Sequence, residues 1–187
     1  MMHASTKFRY WLTCAVAAGW QMDADGYTRP AFVGKHATPP NFDALTFGQL
    51  IELSRAQTND VFYDVCRIVL GMQRDEVDGA RAVDVVSFVG WSAEQVNGIN
   101  ARFAKLSHKP SELERKAGIE RLKFGLFGLM DSYARRMHIS NHDDVLSVPW
   151  LRVYRCLDID NKTEQFNERY QKVLEDEYRR KNRSHRR

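Results

Sequence analysis

Four side chains able to bind a metal or move a proton lie close together in the chain: His138, His142, Asp143 and Asp144. Two histidines four apart on one helix face make a common zinc arrangement. Here Asn141 reads as a helix cap between them, so the pair need not share a face. Asp143 and Asp144 then favour the positive end of a new helix. We expect no metal. Asp23-Ala-Asp25-Gly26 has the opening of a calcium loop, but Gly34 stands where the closing glutamate belongs. We read that stretch as a turn.

Nucleophilic chemistry needs a Ser or Cys beside a base, with an acid to orient the base. The three cysteines, Cys14, Cys66 and Cys156, lack metal-type spacing, and Cys66 and Cys156 fall in apolar helical patterns. There they read as small, reduced hydrophobes, which suits a cytoplasmic setting. No nucleophile elbow and no phosphate loop is visible. The GLFG run at 125–128 sits inside a helical pattern and has no lysine placed to touch phosphate. The expectation is a non-enzyme that uses no cofactor.

Two features suit binding. The first is Val148-Pro149-Trp150-Leu151-Arg152-Val153-Tyr154-Arg155. Trp150, Tyr154 and Arg152 are the residue types that dominate interface hot spots, so they are candidates for partner binding. The plainer reading packs Trp150 and Tyr154 in the core, one turn apart. The second is the C-terminus, RRKNRSHRR, with Arg179, Arg180, Lys181, Arg183, Arg186 and Arg187 as candidate polyanion contacts. Its plainer reading is a solubilising, frayed end, since no aromatics are interleaved for base stacking.

That tail also explains the charge. The last nine residues hold six of the 28 basic residues and none of the 24 acids. The remainder has 22 basic against 24 acidic residues, a net of −2. A near-neutral body has no reason to hold phosphates across its surface.

The elements that would position these groups are helical from Thr46 onward. Thr46 with Gln49 is a capping box opening FGQLIELSR. Thr58 or Asn59 opens a second helix with Val61, Val65, Ile68 and Met72 on one stripe and Phe62, Cys66 and Val69 beside it. Residues 73–80 read as a polar loop. A third helix carries Ala82, Val85, Val86 and Val89 and ends near Gly90. Ser92 with Gln95 then caps a fourth, with Val96, Ile99, Phe103 and Leu106. Lys109-Pro110 breaks the chain and Ser111 with Glu114 restarts it. The fifth helix would be the longest, running through Leu122, Leu126, Leu129, Tyr133 and Met137. Gly118, Gly125 and Gly128 inside it cost about 1 kcal/mol each and would be offset by close packing. Asn141 with Asp144 opens a sixth segment, with Pro149 near its first turns and Trp150, Val153, Tyr154 and Leu157 on its stripe. A turn at Asp158–Asn161 precedes a last helix with Phe166, Tyr170, Val173, Leu174 and Tyr178.

Residues 1–45 differ. They hold three of the five prolines. Phe8–Leu12 and Tyr27–Val33 read as short extended segments around an Asp23–Gly26 turn, with a helix over Trp11–Trp20 as an even competitor. Residues 34–45 look like a connector. The apolar run at 8–20 makes a poor signal peptide, because Arg9 and Thr13 interrupt it and Trp20 ends it. No stretch approaches the roughly 20 apolar residues that span a bilayer.

Two stretches resemble a known family. Leu45 to Leu53, LTFGQLIEL, resembles the opening helix of small proteins from the tail-gene region of tailed phages and prophages. Gly128 to Leu157, containing MDSYARRMHISNHDDVLSVPWLRVYRCL, resembles their later half. The nearest class is the tail assembly chaperone. The resemblance implies a helical protein of the bacterial cytoplasm that binds a long apolar tape-measure protein and keeps it soluble until the tail tube forms. It brings no catalytic residues, and the aromatic N-terminal segment lies outside it.

The expectation is therefore all-α, with six or seven helices in one bundle-like domain over 46–178. A small irregular or β segment over 1–45 precedes it, and a basic tail over 179–187 follows. The expected function is non-catalytic protein binding in phage tail assembly. The alternative is a small nucleic-acid-binding or packaging-associated phage protein that uses its basic tail. Partners would be a protein client and further copies of the chain, with nucleic acid through the tail and no membrane. A core and a holdase surface would use the same stripes at 61–72 and 122–137, and spacing does not separate the two.

Overall fold

A helix holds its shape in water mainly by burying an apolar stripe against a neighbour. The computed structural model describes residues 5–19, 21, 26–56, 60–106, 110, 112–122 and 124–184, with the side chains of 120, 183 and 184 excepted. The architecture is all-α apart from one small hairpin. The elements are α1 (Phe8–Ala17), β1 (Phe32–Val33), β2 (His36–Ala37), α2 (Phe47–Arg55), α3 (Val61–Leu70), α4 (Arg74–Gly79), α5 (Ala82–Ala104), α6 (Glu112–Lys116), α7 (Gly125–Met137) and α8 (Trp150–Ser184). Short 3-10 segments lie at Ile119–Arg121 and His142–Ser147. β1 and β2 pair antiparallel, Phe32 opposite Ala37 and Val33 opposite His36.

The core lies where α2, α3 and α5 meet. Leu50, Leu53, Val65, Cys66, Val85 and Val89 are all buried there. The expected Thr46 box is present: Gln49 N–H donates to Thr46 Oγ1 at 3.1 Å and Thr46 N–H donates to Gln49 Oε1 at 2.9 Å. The amide of Gln49 then donates to the Ile68 carbonyl at 3.1 Å, tying α2 to α3.

Several boundaries depart from the expectations, each for a physical reason. Residues 74–79 form α4 rather than a loop, started by a Gln73–Glu76 capping box. α5 is one continuous helix through Gly90 and Ser92, so neither the stop at Gly90 nor the Ser92–Gln95 cap occurs. Phe88, Val89, Trp91, Val96 and Ile99 are buried on both sides of that point, and burial carries the helix through. Gly90 serves contact instead. A Cβ there would come within 2.2 Å of the Tyr27 ring, so only glycine lets that ring lie on α5.

The long fifth helix is divided. Gly118 (φ 85°) and Gly125 (φ 54°) adopt the left-handed conformation, which ends α6 and delays α7. Helix α8, by contrast, runs through the expected turn at Asp158–Asn161. It contains no Gly or Pro, and Lys162 Nζ pairs with Asp158 across one turn at 2.7 Å. Residues 8–12 are helical, opening α1 earlier than the competing reading placed it. The caps at Thr58, Asn59 and Ser111, and Asp23 and Asp25 of the expected turn, lie outside the described residues.

The N-terminal segment is built into the core rather than attached to it. Phe8, Val33 and Phe42 are buried in the same cluster as α2, α3 and α5. Phe8 N–H donates to the Ala80 carbonyl at 2.8 Å and Ala82 N–H to the Thr6 carbonyl at 2.8 Å. A second stitch joins the chain's halves, where Phe47 N–H donates to Val148 at 2.7 Å and Trp150 N–H to Leu45 at 3.0 Å.

Candidate interaction surfaces

The Trp150 region is mostly structural. Trp150 opens α8 and is fully buried, and its indole Nε1–H donates to the Phe42 carbonyl at 2.6 Å. The Phe103 ring lies 6.1 Å from Trp150 and meets half-buried Tyr154 edge-on at 5.4 Å. Trp150 and Tyr154 therefore clamp α8 onto α5, and Trp150 has no face left for a partner. Arg152 points to solvent.

His138 and His142 are held apart in role. His138 caps α7 in the left-handed conformation (φ 54°) and is exposed. His142 Nε2 lies 3.1 Å from Asp131 Oδ1, and its ring stacks on Phe127 at 5.1 Å. Asn141 accepts from Asp143 N–H at 3.1 Å, the cap expected at that start. Among the described residues no group of three His, Cys, Asp or Glu side chains converges. Cys66 is buried, and burial pushes its thiol up to about 12, away from any nucleophilic role at neutral pH.

Glu76 shows the strongest polar coupling. Lys35 Nζ lies 2.7 Å from its Oε1, Gln73 N–H donates to Oε2 at 3.0 Å, and His36 Nε2 is 3.3 Å away. Lys35 first, then Gln73 and His36, hold its carboxyl down at about 2. The clamp fixes the β-hairpin on α4.

Of the basic tail, Arg179, Arg180 and Lys181 are exposed on the last turns of α8, and Arg180 Nη1 reaches Glu177 at 3.5 Å. The Arg183 side chain, Arg186 and Arg187 lie outside the described residues.

No protein family, curated protein or solved structure matches this chain. The surface itself must therefore supply the functional argument.

Among the described residues, two apolar surfaces bear on binding. The first is a groove of about 280 Å³ between α2, α5 and α7, lined by Phe47, Leu50, Ile51, Phe103, Leu126 and Leu129. Ser54, Arg55 and Asn100 also line it. Nearby in the chain, Leu122, Phe124 and Phe127 are each more than 60% exposed. The second is α8. Its base is clamped: Arg136 pairs with Asp160 and Asn161 donates to the Leu106 carbonyl. From 162 on every described side chain is exposed, including Phe166, Tyr170, Val173, Leu174 and Tyr178. The apolar spacing of that last helix was visible in the sequence. Whether a core or solvent faces it is a tertiary fact that no local pattern encodes. The groove was missed because it draws on three helices distant in sequence.

No helix among the described residues is long and apolar enough to cross a membrane.

Proposed function

We propose that this protein is a non-catalytic binding factor that holds an apolar helical segment of a client. The reading is supported by one observation: the apolar groove of α2, α5 and α7, lined by Phe47, Leu50, Ile51, Phe103, Leu126 and Leu129. Large uncovered apolar groups mark interaction sites, and a groove between helices suits an amphipathic helix laid along it. The resemblance of 45–53 and 128–157 to phage tail-region proteins names the client, a tape-measure protein kept soluble in the bacterial cytoplasm before tail assembly. The two matching stretches include most of α2 and most of α7, which form two of the groove's three walls.

The test is co-expression with the tape-measure protein. The unaltered chain raises its soluble yield, and Leu126→Glu with Leu129→Glu on the groove wall abolishes that gain while near-UV circular dichroism shows the domain still folded. Deleting residues 179–187 leaves the gain unchanged. Loss on tail deletion, together with a steep salt dependence, would instead favour polyanion binding.

A further inference from the structure

We infer that the free part of α8 is a self-association surface on which a second copy of this chain lies antiparallel. Residues 162–184 extend beyond the clamp at Asp160 and Asn161, and at 1.5 Å per residue this is roughly 34 Å of helix with solvent on every side. A helix of that kind is marginal in water without a partner. Phe166, Tyr170, the adjacent pair Val173 and Leu174, and Tyr178 follow at three-to-four-residue steps and form one stripe along it.

Three observations select a second copy as the occupant. The first is area. Exposures between 44% and 68% at these five side chains leave apolar surface open on each copy. On typical side-chain areas, two copies would bury about 1,000 Å² from these groups alone, the threshold for a specific interface. The second is position. Val173 is the midpoint of 162–184, and the stripe from Phe166 to Tyr178 is centred beside it. An antiparallel overlap of the whole free segment therefore places each stripe on the other, with a two-fold axis near Val173. The tip of each copy then reaches no further than the other's clamp.

The third is charge. Within the overlap, residues 162–168 carry Glu164 and Glu168 against Lys162, a net of −1. Residues 169–184 carry six basic residues against Glu175, Asp176 and Glu177, a net of +3. Antiparallel pairing brings each basic tip to the other copy's acidic base, and it also opposes the helix dipoles. Parallel pairing would stack the two basic tips. This surface is separate from the α2–α5–α7 groove, so the two proposals fail independently.

Sedimentation velocity on the full chain tests it. Dimers are expected at micromolar concentration, and Tyr170→Glu with Leu174→Glu gives monomers whose domain remains folded by near-UV circular dichroism. A short bismaleimide then reads direction, in a chain with Cys14 and Cys156 replaced by serine. Val173→Cys links to its copy, whereas Phe166→Cys and Tyr178→Cys, several residues off the axis, do not. A wild-type monomer at 100 µM overturns the proposal, as does self-linking at all three positions, which means parallel pairing.

Discussion

Replacing Gly90 with alanine tests how the N-terminal segment is joined to the core. Gly90 lies inside α5, where alanine is favoured over glycine by about 1 kcal/mol. Helix propensity alone therefore makes Gly90→Ala stabilising. The structure reverses the sign. The added methyl would sit 2.2 Å from Tyr27 ring carbons, far inside the roughly 3.5–4.0 Å of a comfortable carbon contact. Overpacking of that kind costs about 1–3 kcal/mol. Gly26 and Tyr27 N–H both donate to Glu94 Oε1, at 3.2 and 3.3 Å, which anchors the backbone there, so the half-buried ring must rotate or the turn must shift to make room. The net effect is a destabilisation of up to about 2 kcal/mol, read by urea denaturation followed at 222 nm. In a Tyr27→Ala background the obstacle is gone, and Gly90→Ala stabilises by about 1 kcal/mol. The double-mutant cycle thus gives a coupling of about 1–3 kcal/mol. A stabilising Gly90→Ala in the unaltered chain would refute the seating of Tyr27 on α5 and the integration of residues 26–45 with the helical core.

Three further outcomes follow from single groups. Glu76 has a folded pKa of about 2 against roughly 4.3 when unfolded, so its contribution is complete above the unfolded value and disappears as pH falls from there toward 2. Glu76→Gln flattens the acid limb of the stability–pH curve in that window; an unchanged limb means the hairpin clamp does not form. Cys66 resists dithionitrobenzoate at pH 8 while exposed Cys14 reacts at once, and Cys66 labels at the rate of unfolding. Rapid labelling of Cys66 in the folded protein contradicts its burial. Ser92 is buried with a hydroxyl that finds no partner among the described residues, so Ser92→Ala removes an unsatisfied group from mid-helix and raises stability by about 1 kcal/mol. A loss of that size by the same denaturation assay would mean the hydroxyl is bonded.

Legibility in the sequence followed the range of the interaction that decides each feature. Thr46 and Gln49 satisfy one another three residues apart, and that cap was readable directly. The same pattern at Ser92 and Gln95 misled, because the choice between cap and helix interior there is made by Tyr27, more than sixty residues away, and by the apolar neighbours of Ser92. The glycines in the fifth helical pattern were visible as a cost, but only their backbone angles separate a breaker from a packing site. Gly118 and Gly125 break the helix by adopting positive φ. At Gly128 a Cβ would meet that of Phe124 at 2.6 Å. Trp150 carried two readings because a buried anchor and a binding anchor share one residue type, and its bond to the Phe42 carbonyl decides for the core. The α8 stripe reads the same whether a neighbour covers it or not, so its exposure could come only from the fold.

Hydrogen exchange on this chain, alone and mixed with the tape-measure protein, tests the proposed function most directly. The account predicts slowed exchange in α7 and α2, the walls of the apolar groove, with the Thr6–Ala82 stitch unaffected. Protection confined to the basic end of α8, or none anywhere at saturating client, would contradict it.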